Sequence, residues 1–107
     1  MFSRIVELTA KTGKQRELTS VFNDKVVPIL KKQTAFVDEI VLASDTEPNL
    51  VVSVSFWKRH EDAEQYHQKE YAAIRDIVRP LLEADPVIRT FNVNSSTTHK
   101  IATSKAA

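Results

Sequence analysis

The sequence predicts a ferredoxin-like α+β domain with the element order β-α-β-β-α-β. Two observations predict this fold class. Four short segments alternate apolar and polar side chains as strands do, and two longer segments repeat apolar residues at spacings of three and four as amphipathic helices do. The chain has 107 residues, the length of one domain. We therefore expect a four-stranded antiparallel sheet with both helices on one face.

The first half of the chain predicts a strand, a helix and a second strand. Residues 2–8 alternate, although Arg4 interrupts the apolar face. Gly13, the single glycine, precedes a helical stripe over residues 14–33, where it supplies a backbone angle that other residues tolerate poorly. Pro28 should kink this helix or end its regular hydrogen bonding. The second strand is predicted over residues 36–43, with Phe36, Ile40 and Leu42 on one face.

The second half predicts a hairpin, a helix and a final strand. Residues 44–49 are rich in turn formers and join the second strand to a third over residues 50–57. Helical periodicity resumes after Arg59, allows a break near Tyr71, and is ended by Asp85-Pro86. Residues 87–93 predict the fourth strand.

The sheet face without helices needs a cover. Both faces of the second and third strands carry apolar side chains, and an exposed apolar sheet face favours association. We expect a homodimer that packs sheet against sheet. The fold domain is predicted to span residues 1–94, and the polar tail, residues 95–107, to dock on the partner subunit.

Composition excludes several classes of function. The formal net charge of +1 provides no steering field for nucleic acid or an anionic membrane. The absence of cysteine excludes thiolate and iron–sulfur chemistry and fits a cytoplasmic protein. No apolar run approaches the roughly 18 residues of a membrane span, and no signal peptide is recognisable. A single glycine cannot build a phosphate-binding loop.

Four segments of the chain resemble the antibiotic biosynthesis monooxygenase family, whose members form dimeric α/β barrels. The resemblance is carried by Thr12-Gly13-Lys14 through Leu18, by Pro28-Ile29-Leu30 through Phe36-Val37, by Ser55 through Ala63 around Phe56-Trp57, and by Tyr66-His67. It covers roughly residues 2–94. One departure is Ala35, which stands before Phe36 where the family often has glycine.

The resemblance implies two kinds of chemistry, of which one fits this chain poorly. Members include cofactor-free oxygenases acting on polycyclic phenols and quinols, and haem-degrading enzymes. The haem-degrading branch uses an asparagine, a tryptophan and a histidine where this chain has Arg4, Tyr66 and Asp76. We therefore expect no haem degradation and no bound cofactor.

Cofactor-free oxygenation needs a base, hydrogen-bond donors and an apolar wall around an electron-rich substrate. His67 is the candidate base, because imidazole has a pKa of about 6.5 and this residue lies on the apolar stripe of its helix. Tyr66 and Tyr71 are candidate donors, and Trp57 is a candidate wall. The candidate anion binders are Arg89 and Asn92 on the fourth strand, together with Arg4 on the first.

Each candidate also has a structural interpretation. His67 fits a histidine at the edge of the core, and Trp57, Tyr66 and Tyr71 fit helix-to-sheet packing. Arg89 fits a salt bridge to Glu7 or Glu39.

A metal site is a further alternative. His60, Glu64 and His67 are spaced i, i+4 and i+7 along one helix face, and these are zinc or iron ligands. One helix rarely supplies three ligands to one ion, so we predict no metal.

Two functions from different classes remain open. The first is a cofactor-independent monooxygenase acting on a small aromatic phenol or quinol. The second is a non-catalytic dimeric barrel that binds an apolar small molecule, in a stress-related or regulatory role. A cavity beside His67 favours the first, and tight apolar packing of that ring favours the second.

Overall fold

The computed structural model describes residues 1–101 and shows one four-stranded antiparallel sheet in the order β2-β3-β1-β4. The strands are β1 (Phe2–Thr9), β2 (Phe36–Ala43), β3 (Leu50–Trp57) and β4 (Val87–Asn92). This confirms the predicted ferredoxin-like α+β fold. The N-terminal strand lies in the centre of the sheet and pairs with both β3 and β4.

The first helical region consists of three consecutive segments. They are α1 (Gln15–Val21), a π-helical segment (Phe22–Val26) and α2 (Val27–Lys31). Pro28 lies at the start of α2 and cannot donate the hydrogen bond of a regular α-helical turn. The wider π turn immediately before Pro28 is the interruption that the sequence predicts at this position.

The second helix, α3 (His60–Val78), is continuous, so the break considered near Tyr71 does not occur. A short 3-10 turn, Arg79–Leu81, follows it and contains Pro80, which has no N–H to continue the α-helix. The helix therefore ends before the predicted boundary at Asp85-Pro86.

In the described part of the chain, two residues have a left-handed backbone. Gly13 has φ of +76°, as its position before the first helix predicts. Ala35 has φ of +64° and is the only non-glycine residue with positive φ within residues 1–101. It occupies the turn before β2, where its carbonyl accepts a hydrogen bond from the N–H of Lys58 at 3.0 Å.

The core lies between the helices and one face of the sheet. On β1 and β3 the inward residues follow the predicted alternation, with Leu8 opposite Val51 and Phe2 opposite Trp57. On β2 a bulge at Val37 places Phe36 on the same face as Trp57, and the predicted grouping of Phe36 with Ile40 and Leu42 is wrong.

The other face of the sheet, which we call the open face, carries large apolar side chains and is covered by no helix of residues 1–101. Ile40, Leu42, Val87 and Phe91 are 44 to 49% exposed there. The segment after β4 begins with a hydrogen bond from the N–H of Val93 to the carbonyl of Met1. Of the predicted tail, residues 95–101 are described, and residues 102–107 lie outside the described part.

Within the described tail, His99 contacts the open face of its own chain. Its ring centroid is 6.0 Å from that of Phe56, and its Nε2 is 3.4 Å from Oδ2 of Asp38. Docking of the tail on a partner subunit stays a prediction. No helix within residues 1–101 is long and apolar enough to cross a bilayer.

Candidate active site

A buried arginine forms the centre of the site. Arg4 lies on the inward face of β1, opposite Ser55 of β3, and only 5% of its surface is exposed. Its guanidinium carbon is 5.4 Å from the ring centroid of Tyr66 and 5.0 Å from that of Tyr71. Ring faces attract a desolvated cation, which compensates part of the cost of burying this charge.

Arg4 is also bonded to His67. Its Nη2 is 2.8 Å from Nδ1 of His67, and the His67 ring stacks on Tyr71 with the centroids 4.7 Å apart. Because guanidinium has only donors, Nδ1 must accept, and a neutral His67 then carries its proton on Nε2. Burial and the neighbouring positive charge of Arg4 both lower the pKa of His67.

The burial that isolates Arg4 also affects the ionisation of its neighbours. Desolvation lowers the pKa of the Arg4 guanidinium, while the two tyrosines and Glu39 oppose that change. Desolvation raises the pKa of both Tyr66 and Tyr71, and Arg4 opposes it. Both phenols therefore remain protonated at neutral pH and can donate hydrogen bonds.

Arg4 separates two cavities between α3 and the sheet. The outer cavity has a volume of about 130 Å³ and is lined by His67, Glu64 and Thr90, among others. The inner cavity has a volume of about 20 Å³, and both tyrosines line it. Its apolar walls are Val6, Leu8, Phe22, Ile74, Val78 and Pro86. Arg4 is part of the wall of both cavities.

A carboxyl group with a buried oxygen lies on β2, with β3 between it and Arg4. Ser53 Oγ donates to Glu39 Oε2 at 2.6 Å, while Glu39 Oε1 is buried and has no hydrogen-bond partner within residues 1–101. Desolvation raises the pKa of Glu39 from 4.5 to about 8, although the bond from Ser53 opposes the change. Glu39 is therefore mainly an uncharged acid at neutral pH.

Sequence reasoning considered Glu39 only as a salt-bridge partner of Arg89. The signal that could have identified it is its alternation with Val41, which places a carboxylate on the inward face of β2. Glu39 and Arg4 both lie on the inward face of the sheet, and two such ionisable residues indicate a polar region in the protein interior.

The predicted wall residue, Trp57, is fully buried and lines neither cavity. Its ring packs 4.9 Å from Tyr66, and its Nε1 donates to Ser55 Oγ at 2.9 Å. Ser55 Oγ in turn donates to the carbonyl of Arg4 at 3.3 Å. Trp57 thus supports the strand position that holds Arg4.

Two predicted anion binders lie away from the cavities. Arg89 is on the open face, where its Nη2 is 3.5 Å from Glu7 Oε2, as its structural interpretation anticipated. Asn92 is exposed at the end of β4. Of the predicted site residues, the structure gathers Tyr66, His67 and Tyr71 around Arg4 and leaves Trp57, Arg89 and Asn92 outside the cavities.

The histidine and carboxylate series on α3 does not converge on one point. His60 packs its ring edge against Phe2 and lies 3.5 Å from Glu64, whereas His67 faces Arg4. Within residues 1–101, no group of three histidine, aspartate or glutamate side chains is placed to hold a metal ion.

Comparison with known protein families identifies the family of this chain. The profile described as antibiotic biosynthesis monooxygenase matches residues 1–79. The chain belongs to the antibiotic biosynthesis monooxygenase family. No curated protein matches the sequence.

Solved structures of this family share the fold at low sequence identity. SnoaB, a cofactor-independent oxygenase from Streptomyces nogalater solved as the N63A mutant, aligns with a TM-score of 0.76 and 17% identity over 92% of this chain and 97% of SnoaB. A monooxygenase from the gene ActVA-Orf6 of Streptomyces coelicolor, bound to nanaomycin D, aligns with a TM-score of 0.76 and 15% identity over 92% of both chains.

A third relative has no known activity. NE2512 from Nitrosomonas europaea, a protein of unknown function, aligns with a TM-score of 0.78 and 15% identity over 92% of this chain and 94% of that chain. At these identities the likeness establishes the fold alone.

Proposed function

We propose that this protein is a cofactor-independent monooxygenase acting on a small aromatic phenol or quinol. The observation that carries the proposal is the bond between buried Arg4 and His67 at the edge of the outer cavity. The cation of Arg4 can stabilise a substrate anion, and the neutral imidazole of His67 can accept the proton that the substrate loses.

In the structure described above, His67 cannot yet act as a base. Its Nδ1 lone pair accepts a hydrogen bond from Arg4, and its Nε2 carries the proton. A substrate oxygen entering the outer cavity competes for the guanidinium of Arg4. Once Arg4 turns to that oxygen, Nδ1 is free, and the loss of the neighbouring cation raises the proton affinity of His67.

The resulting step balances with dioxygen as the oxidant. His67 takes the hydroxyl proton of the phenol or quinol, and the resulting anion, whose charge is shared with a ring carbon, transfers one electron to dioxygen. The substrate radical and superoxide combine to form a C–O bond at that carbon, and the proton returns from His67 to the peroxide. Cleavage of the O–O bond with loss of the hydrogen on that carbon yields a carbonyl and water.

Tyr66 and Tyr71 complete the proposed site as neutral donors. Both phenols line the inner cavity beside Arg4 and remain protonated at neutral pH. Either can donate to an oxygen anion that forms on the inner side of Arg4 and share the stabilisation of its negative charge. The oxygenase activity stated for SnoaB and the ligand bound to the Streptomyces coelicolor monooxygenase support this class of chemistry.

We also propose that the protein is a homodimer joined through the open face. Four large apolar side chains are about half-exposed there, although Arg89 and Glu7 add a charged pair. Packing two such sheets would remove these side chains from water.

Sedimentation velocity tests the dimer. Leu42→Asp should shift the protein to the monomer, whereas Gln68→Asp, on the exposed side of α3, should not. A monomeric wild type contradicts the proposal. The cytoplasmic location predicted from composition stays a prediction.

The non-catalytic alternative is favoured by the size of the outer cavity. Its volume of about 130 Å³ is below the roughly 300 Å³ at which pockets for drug-sized ligands begin. A protein that binds only a small apolar molecule would not need the outer cavity to widen and would not need a proton transfer.

Oxygen uptake distinguishes the two functions. Wild type, His67→Ala and His60→Ala would be compared with a panel of reduced naphthoquinols and anthrone-like phenols, with thermal melting as the check on folding. His60 is the matched control, because it lies on the same helix and its side chain is 58% exposed. The oxygenase proposal expects uptake by wild type and His60→Ala that is lost in His67→Ala. Uptake no faster than autoxidation of the substrates favours the binding module.

A further inference from the structure

We propose that the inner cavity is a binding site for dioxygen, and that Arg4 stabilises the oxygen anion formed there. This inference rests on the proposed oxygenase function, because it assigns the second substrate of that reaction to a place in the molecule. The outer cavity then holds the aromatic substrate, and the two substrates meet at Arg4.

The first support is size. The inner cavity has a volume of about 20 Å³, and about 10 to 15 Å³ measured in this way is enough for one water-sized molecule. Dioxygen is only slightly larger than water. An aromatic substrate is far too large for this space.

The second support is the chemistry of the walls. Most of the inner lining is hydrocarbon, supplied by β1, by the π-helical segment and by the C-terminal half of α3. The Ser53 hydroxyl donates its hydrogen to Glu39 and Arg4 donates to His67, while Tyr66, Tyr71 and Arg75 supply the other polar groups of the lining. An apolar diatomic molecule needs no polar partner, and a water molecule held by these groups would compete with it for the space.

The third support is position. Arg4 is part of the wall of both cavities, so an oxygen molecule on one side and a substrate anion on the other lie against the same guanidinium. Electron transfer from the substrate anion converts neutral dioxygen into superoxide. A buried cation with few competing waters stabilises that new negative charge strongly.

A surface groove adjoins the inner cavity. Arg75 and Pro86 line both the inner cavity and this groove, where Lys11 and Arg79 also lie. The proposal takes these two side chains as the point at which dioxygen enters, so that it reaches Arg4 while the outer cavity is occupied.

Binding of a gas to the wild type is the first test and requires no turnover. Methyl NMR spectra would be recorded with increasing pressures of xenon and of dioxygen. The proposal expects pressure-dependent shifts with xenon and enhanced relaxation with dioxygen at Val6, Ile74 and Val78. Buried methyls outside the cavity, at Leu18 and Val26, serve as the reference. Equal effects at both sets, or effects at neither, overturn the proposal, as does a water molecule that both gases fail to displace.

Filling the cavity is the second test. Val6→Ile adds one methylene to the inner cavity, and Val41→Ile makes the same change on β2 outside it. The gas-dependent effects should disappear in Val6→Ile and remain in Val41→Ile. In oxygen-uptake assays, Val6→Ile should raise KM for dioxygen about fivefold or more with KM for the aromatic substrate unchanged.

The two tests separate failure of this inference from failure of the proposed function. If no phenol or quinol is oxidised, the oxygenase proposal fails, while the NMR measurement still decides whether the cavity binds a small apolar gas. If turnover occurs but KM for dioxygen is the same in Val6→Ile and wild type, the assignment of the oxygen site is overturned and the oxygenase proposal stands.

Discussion

Replacing Glu39 by glutamine should change how the stability of the protein depends on pH. Glu39 is partly exposed on the inward face of β2, but its Oε1 is buried and has no hydrogen-bond partner within residues 1–101. Desolvation raises its pKa from 4.5 to about 8 in the folded protein. Glutamine has nearly the same shape, can still accept from Ser53, and does not ionise.

The direction of the effect follows from proton binding. Between pH 4.5 and about 8 the folded protein holds a proton on Glu39 that the unfolded chain has released. The stability contribution of this group is therefore complete below pH 4.5 and is lost as the pH rises through 8. The loss is about 1.4 kcal/mol for each pH unit in this window, or about 5 kcal/mol in all, if nothing relaxes. We expect about half of that, because ionised Glu39 can draw Arg4 or water toward itself.

Urea unfolding at pH 5, 6, 7, 8 and 9 measures this difference. Wild type and Glu39→Gln should be similar at pH 5, and the variant should become more stable by about 2 to 3 kcal/mol at pH 9. Glu61→Gln, at the exposed start of α3, is the control for removing one carboxylate. Parallel stability curves for wild type and Glu39→Gln from pH 5 to 9 would refute the argument that this carboxyl is desolvated and neutral.

Three further predictions follow from the backbone, the core and the site. Ala35→Gly should raise the free energy of unfolding by about 1 kcal/mol in urea titrations, because alanine is strained at φ of +64°. Trp57→Phe should lower the free energy of unfolding by about 2 kcal/mol, because a smaller ring leaves a space in the core and Ser55 loses the hydrogen bond from the indole N–H. Unchanged stability would contradict the packing described for Trp57. Protonation of His67 should oppose the stability that Glu39 adds on acidification, because the unfolded chain protonates at His67 more readily than the folded protein, so His67→Ala should gain stability relative to wild type in thermal melts between pH 7 and 5.

The fold could be predicted from the sequence because its signals are local. Alternation identifies each strand, and the apolar stripes identify the helices. The same alternation places Arg4 on the inward face of β1, so the centre of the site was within reach of sequence analysis. Gly13 likewise indicates the left-handed turn that the structure contains.

The features that the sequence did not predict depend on contacts between residues far apart in the chain. The bulge at Val37 changes which face Phe36 occupies, and alternation alone cannot reveal an extra residue in a strand. The pairing register of β4 decides that Arg89 meets Glu7 on the open face. The bond from Arg4 to His67 joins residues 63 positions apart, and only the packing of α3 on β1 brings them together.

The most direct test of the account is whether the protein ionises a phenol that it binds. An anthrone-like phenol or reduced naphthoquinol would be titrated with the protein without oxygen, at a pH one to two units below the pKa of the compound, and followed by its absorbance. The account predicts that wild type converts the bound compound to its anion, that His67→Ala and Arg4→Met do not, and that admitting air then consumes the anion. A compound that binds to wild type but keeps its neutral spectrum would contradict the proposed roles of Arg4 and His67.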